Sequence, residues 1–122
     1  MDDGEQLGET ESGQARFGAL DRLSKREIRA LADPQARVAL RYLADHSPTT
    51  LSDLGDVVTG SEAAATGSIA GPSRHRANVV ALHHETLPAL DACGFVEYDS
   101  TDHTVREADV PDAVWALLER AD

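Results

Sequence analysis

The chain has 122 residues, enough for one domain around a single core, and its 41% hydrophobic content includes only two Phe, two Tyr and one Trp. Twenty-two acidic residues against eleven basic ones give a net charge of -11, so non-specific attraction to a polyanion contributes little. No window approaches about eighteen apolar residues, which excludes a membrane-spanning helix as an expectation.

A core so poor in large side chains gains from self-association. Ten of the eleven bases are arginine. Abundant carboxylate with almost no lysine resembles the composition of proteins from salt-loving archaea. High net charge favours solubility at the expense of self-repulsion, which salt screens. Compactness is therefore expected to fall below about 0.5 M salt. The acidic N-terminus lacks the pattern of a signal peptide. The lone Cys93 has no internal disulfide partner and reads as a small buried apolar side chain, which favours a reducing, cytoplasmic setting.

Residues 1–15 read as a disordered acidic tail, a solubilising segment or an arm that docks on a partner. Ser24 to Glu27 has the capping-box spacing and predicts a helix over about 25–32. Asp33-Pro34 opens the next helix, about 34–46, with Val38, Ala39, Tyr42 and Leu43 on its apolar side. Ser47-Pro-Thr-Thr50 is a turn whose threonines cap a helix over about 51–59. Residues 60–73 carry small and polar side chains with one Ile, and predict a flexible insertion. A helix follows from Ser73 or Arg74 to about Cys93. Pro88 lies inside it and predicts either a kink or a split into two helices. Gly94 supplies the stop. Phe95–Tyr98 and Thr104–Arg106 read as a hairpin with its tip at Asp99–Asp102. Two strands are marginal alone and need a helix face or a third strand. A last helix spans about Pro111–Ala121.

A helix that stops at glycine and feeds a small hairpin is the second half of a winged helix. The expected fold is therefore mainly α with a small β-hairpin, a winged helix-turn-helix over 16–109 with an additional C-terminal helix over 110–122. The run Leu31-Ala-Asp-Pro-Gln-Ala-Arg-Val-Ala-Leu-Arg-Tyr-Leu43 resembles the opening helix pair of ArsR-like winged helices. The segment His83-His-Glu-Thr-Leu-Pro-Ala-Leu-Asp-Ala-Cys-Gly-Phe-Val-Glu-Tyr-Asp99 is similar to haloarchaeal winged-helix domains of unknown function. Together these resemblances cover roughly residues 24–107 and imply a transcriptional regulator. The chain departs from metal-sensing relatives in lacking their Cys and acidic/His clusters.

In a winged helix the second helix of the helix-turn-helix enters the major groove with its N-terminal half. Here that half is Ser73-Arg74-His75-Arg76-Ala77-Asn78. Arginine contacts guanine bidentately and asparagine contacts adenine, so Arg74, Arg76 and Asn78 are candidate base readers, with His75 beside them. Ser73 and the first-turn amides suit a phosphate. His83 and His84 reach backbone or base edges further along. Thr101, Asp102, His103 and Thr104 form the hairpin tip, aimed at a flanking phosphate or minor groove, with Arg106 on the return strand. Arg37 and Arg41 are phosphate contacts or solvated charges. Val114, Trp115, Leu117, Leu118 and Ala121 line one side of the last helix, which forms a homodimer interface or packs on its own core.

These readings predict a DNA-binding regulator with double-stranded DNA as partner. The alternative is a protein-interaction or dimerisation module that does not touch DNA. What separates them is whether the face of Arg74, Arg76 and Asn78 is neutral to positive or ringed by carboxylates. No catalytic motif is present, so no enzyme and no cofactor are expected. The histidines have no zinc-site spacing beside Cys93, and adjacent His83 and His84 point about 100° apart on a helix, so no metal is expected.

Overall fold

A computed structural model describes residues 21–69 and 71–120. It is mainly helical with one small antiparallel sheet. The elements run α1 (Lys25–Leu31), α2 (Pro34–His46), β1 (Thr49–Thr50), α3 (Leu51–Thr66), α4 (Pro72–Ala81), a π-helical turn (Leu82–Thr86), α5 (Leu87–Ala92), β2 (Val96–Asp99), β3 (Thr104–Glu107) and α6 (Asp112–Arg120). The tail predicted over 1–15 and the candidate residue Ala121 lie outside the described residues.

Local chemistry sets the first three helix starts. Ser24 and Glu27 form a reciprocal capping box: the Glu27 amide donates to Ser24 Oγ at 3.1 Å and the Ser24 amide to Glu27 Oε1 at 2.8 Å. Asp33 caps α2 by accepting the Gln35 amide at 2.9 Å, with Pro34 in the first turn. Thr50 caps α3 through the Asp53 amide at 3.0 Å.

Two segments differ from the sequence expectation. The helix expected to end near 59 continues to Thr66, so half of the expected insertion is regular helix. Its end is fixed by Gly67, which takes a left-handed conformation at φ 71° and donates its amide to Ala63 O. Ala63–Ala65 are good helix formers, and with Leu51, Leu54 and Val58 anchoring the helix in the core the chain stays helical through Gly60. The next helix then begins at Pro72, with Gly71 as its N-cap.

Pro88 causes neither a clean break nor a separate helix start with a side-chain cap. Proline lacks an amide hydrogen, and in regular helix its ring meets the carbonyl four residues back. The chain widens one turn earlier, where the Leu87 amide donates to Leu82 O five residues behind it. The apolar side chains of Leu82, Leu87 and Leu90 thus stay fully buried across the irregularity. The helix ends in a Schellman arrangement: Phe95 N–H donates to Leu90 O at 3.0 Å and Gly94 N–H to Asp91 O at 2.9 Å, with Gly94 at φ 81°.

The hairpin has a third strand. β1 pairs with β3 (Thr49 with Val105, Thr50 with Thr104), and β3 pairs with β2 (Val96 with Glu107 to Asp99 with Thr104), giving the order β1-β3-β2. Alternation places Val96 and Val105 against the core and leaves Glu97 and Arg106 exposed. The Leu51 amide donates to His103 O at 2.9 Å, which ties the hairpin tip to the start of α3.

The core gathers Leu40 and Leu43 of α2, Leu54 and Val58 of α3, Leu82, Leu87, Leu90, Phe95, and the sheet valines. α6 closes it: Val114 is 0% and Leu118 3% exposed. No helix among the described residues is long and apolar enough to cross a membrane.

Candidate nucleic-acid interface

The candidate face is built by α4 standing between α3 and the hairpin tip. α3 and α4 approach closely because position 55 is glycine. A Cβ there would lie 2.5 Å from Val79 Cγ2 and 3.2 Å from His75 Nε2. Thr50, Asp56, His75, Arg76, Asp102 and His103 line a groove of about 700 Å³ between these elements.

The fold withdraws one of the contact side chains that the sequence of α4 suggests. Asn78 is 1% exposed. Its Oδ1 accepts from Gln35 Nε2 at 3.0 Å, and its Nδ2 donates to Thr59 Oγ1 at 3.0 Å and Glu62 Oε1 at 3.1 Å. All three contacts are internal, so Asn78 is not an adenine reader: its amide joins α2, α3 and α4. The network continues through Thr86, whose hydroxyl is 2.7 Å from Asp33 Oδ2 and 3.2 Å from Gln35 Oε1.

Arg74 is exposed but engaged. Its Nε and Nη2 donate to the two oxygens of Glu62 at 2.9 and 3.0 Å. The Arg74 hydrogen bonds hold the Glu62 carboxyl below its ordinary range, against a smaller opposing effect of burial and with help from Asn78. The same pair pushes the guanidinium up. His75 Nε2 lies 2.8 Å from Asp56 Oδ1. Ser73, Arg76, Ala77 and Val80 remain exposed.

The histidines further along form a cluster with the sheet. His83 Nδ1 and the Tyr98 hydroxyl are hydrogen bonded at 2.6 Å. Burial, and then the Asp99 carboxylate, push the Tyr98 phenol above its ordinary value. The His83 ring meets His84 edge-on at 4.6 Å and His103 at 5.5 Å. His103 holds a left-handed conformation at φ 59°. At the hairpin tip, the amides of Thr101 and Asp102 donate to Asp99 Oδ1 at 2.9 and 3.1 Å. Those amides, Asp102 first, hold the Asp99 carboxyl below its ordinary value. Arg106 faces Glu97 across the strands at 3.7 Å, both largely exposed. Among the described residues no three His, Cys, Asp or Glu side chains are placed to share a metal ion.

The remaining candidates are placed elsewhere. Arg37 donates to Leu31 O at 2.9 Å, at the end of α1, and Arg41 to Leu118 O at 3.3 Å, joining α2 to α6. Both are half-buried structural ties and not free phosphate contacts. Val114 and Leu118 are used in the chain's own core, so they form no dimer surface; Trp115 and Leu117 are half-buried against that core. Glu62, Asp56, Gln35, Thr59 and Thr86 were not legible as site residues. Glu62 and Arg74 are twelve positions apart, and Gln35 and Asn78 forty-three, so no local spacing links them.

Residues 28–106 match a family described as a domain of unknown function, DUF7344. The chain belongs to the DUF7344 family. The DUF7344 stretch begins within α1 and ends in β3, so it contains α4, the polar network and the hairpin, while α6 lies beyond it. No curated protein and no solved structure matches the chain.

Proposed function

We propose that this DUF7344 chain is a winged helix-turn-helix DNA-binding regulator, with α3 and α4 as the helix-turn-helix and β2–β3 as the wing. The order α2-β1-α3-α4-β2-β3 and the sheet order β1-β3-β2 support the assignment. One observation carries the functional reading. The stretch Pro72–His84 contains no acidic residue in a chain with twenty-two, and its N-terminal half is exposed beside the hairpin tip.

The groove dimensions of B-DNA admit such a helix. Arg76 then reaches base edges, Ser73 and the first-turn amides hold a phosphate, and His103 approaches the flanking backbone. Affinity rests on short-range contacts, because the long-range field of the chain is repulsive. The composition fits work in the salt-rich cytoplasm of a halophilic archaeon, where that field is screened. A homodimer would present two such helices; Trp115 and Leu117 are the part of α6 left for that contact.

Selection from a randomised duplex library with the full chain at about 1–3 M KCl, followed by fluorescence anisotropy, tests the reading. An enriched sequence, bound at least tenfold more weakly by Arg76→Ala, is the expected result. An unenriched pool refutes it.

A specific observation favours a second reading, a protein-docking winged helix. Glu62 holds Arg74, the Asp56 carboxylate lies beside the His75 ring, and Asp102 lies on the same groove. These carboxylates surround the face that DNA would approach. Binding of a basic protein partner that Glu62→Gln and Asp56→Asn weaken, without any DNA enrichment, would establish it.

A further inference from the structure

We infer that Val80, together with Ala77, reads thymine methyl groups, so that the bound sequence pairs a guanine facing Arg76 with neighbouring thymines. This inference rests on the DNA-binding reading above.

The argument starts from what α4 has left to offer. Its two strongest hydrogen-bonding candidates beside Arg76 are removed by the tertiary structure. Asn78 is turned inward with both ends of its amide bonded, and Arg74 is held bidentately by Glu62. At about 100° per residue, Arg76 and Val80 both lie opposite Asn78, one turn apart, with Ser73 beside them and Ala77 on the flank. The outward face is therefore one guanidinium, one hydroxyl and two apolar side chains.

Val80 is 52% exposed, although the fold buries most of its large aliphatic side chains. A single exposed valine is unremarkable on most surfaces. Here it lies on the exposed side of a helix that itself carries no acidic residue, one turn from Arg76. The partner chemistry that fits this combination is specific. In the major groove, guanine offers two acceptors to an arginine, and thymine alone among the four bases carries a methyl group, which apolar side chains contact. Adenine offers a donor and an acceptor side by side, and the exposed face has no carboxamide to match them. Val80 is four residues beyond Arg76, about 6 Å along the helix axis, which spans roughly two base-pair steps. The guanine and the contacted thymine should therefore lie within about two steps of each other.

The test uses the enriched duplex itself. It is synthesised once with thymidine and once with deoxyuridine at every thymidine position, which removes only the C5 methyl groups. Binding of the full-length wild-type chain is measured by anisotropy at the same high salt. The expected result is about a fourfold weaker affinity for each contacted methyl that is lost, the worth of burying one methyl-sized group. Val80→Ser, at a position open enough to keep the fold, should narrow the difference between the two duplexes by the roughly fourfold factor of the methyl that Val80 contacts, leaving only the Ala77 contribution, and its melting curve should match the wild type.

Equal wild-type affinity for the two duplexes, with Arg76→Ala still weakening both, overturns the methyl assignment and leaves DNA binding intact. An unenriched library overturns DNA binding and the methyl assignment together. The first comparison uses only wild-type protein, so no folding defect in a variant obscures it.

Discussion

Replacing Asn78 with alanine separates a structural role from a DNA-contacting one. The side chain is 1% exposed and makes three hydrogen bonds, to Gln35, Thr59 and Glu62. Glu62 is about a third exposed, so water replaces that contact at small cost. Gln35 and Thr59 are half-buried and lose a partner that water replaces only in part. Each such bond contributes about 1 kcal/mol net, and a buried group left unsatisfied costs about 1–3 kcal/mol. The excised carboxamide also leaves a small void. Together these predict a loss of about 2–4 kcal/mol, a large share of the stability of a small domain. Urea unfolding at fixed high KCl, followed by far-UV circular dichroism, measures it, with the denaturant slope checked for constancy. Asn78→Asp should destabilise at least as much near neutrality, because it sets a second carboxylate beside Glu62. A loss below about 0.5 kcal/mol in Asn78→Ala, the range of ordinary surface substitutions, would refute the buried network.

Gly55→Ala should destabilise although alanine favours helix by about 1 kcal/mol, because the added methyl meets Val79 at 2.5 Å, and overpacking costs about 1–3 kcal/mol; thermal unfolding checks the sign. Glu62 has a folded pKa below its ordinary 4.5, so its contribution is complete above that value and is lost as the pH falls through the folded pKa. Melting temperatures of wild type and Glu62→Gln should therefore converge as the pH drops below about 4.5, and parallel curves would reject the Arg74–Glu62 pairing. Leu118→Ala should cost about 2–5 kcal/mol in a urea titration, since α6 seals the core. Trp115→Ala should shift the mass in high-salt light scattering only if that face joins two copies, and an unchanged monomeric mass rejects the homodimer.

The sequence alone determines those features that short spacings encode. Ser24 and Glu27, Asp33 and Pro34, and Thr50 mark helix starts because each cap satisfies amides two or three residues away. Gly94 marks a stop for the same local reason. The order of helices and hairpin follows from these signals and from apolar periodicity. Tertiary structure decides the rest. It extends α3 through Thr66, because burial of Leu51, Leu54 and Val58 stabilises a helix whose last turns carry only small side chains. It adds Thr49–Thr50 as a third strand, which two residues cannot announce by periodicity. It accommodates Pro88 with a π-helical turn that keeps three leucines buried.

The site shows the same division. Residue types in Ser73–Asn78 identify which helix bears contact chemistry. Which side chains face outward depends on the phase of α4 against α2 and α3. That phase buries Asn78, engages Arg74 with Glu62 and leaves Arg76 and Val80 exposed. Partners such as Glu62 and Gln35 are remote in sequence, so only the packing of the helices determines which polar groups are satisfied internally and which remain free to meet a ligand.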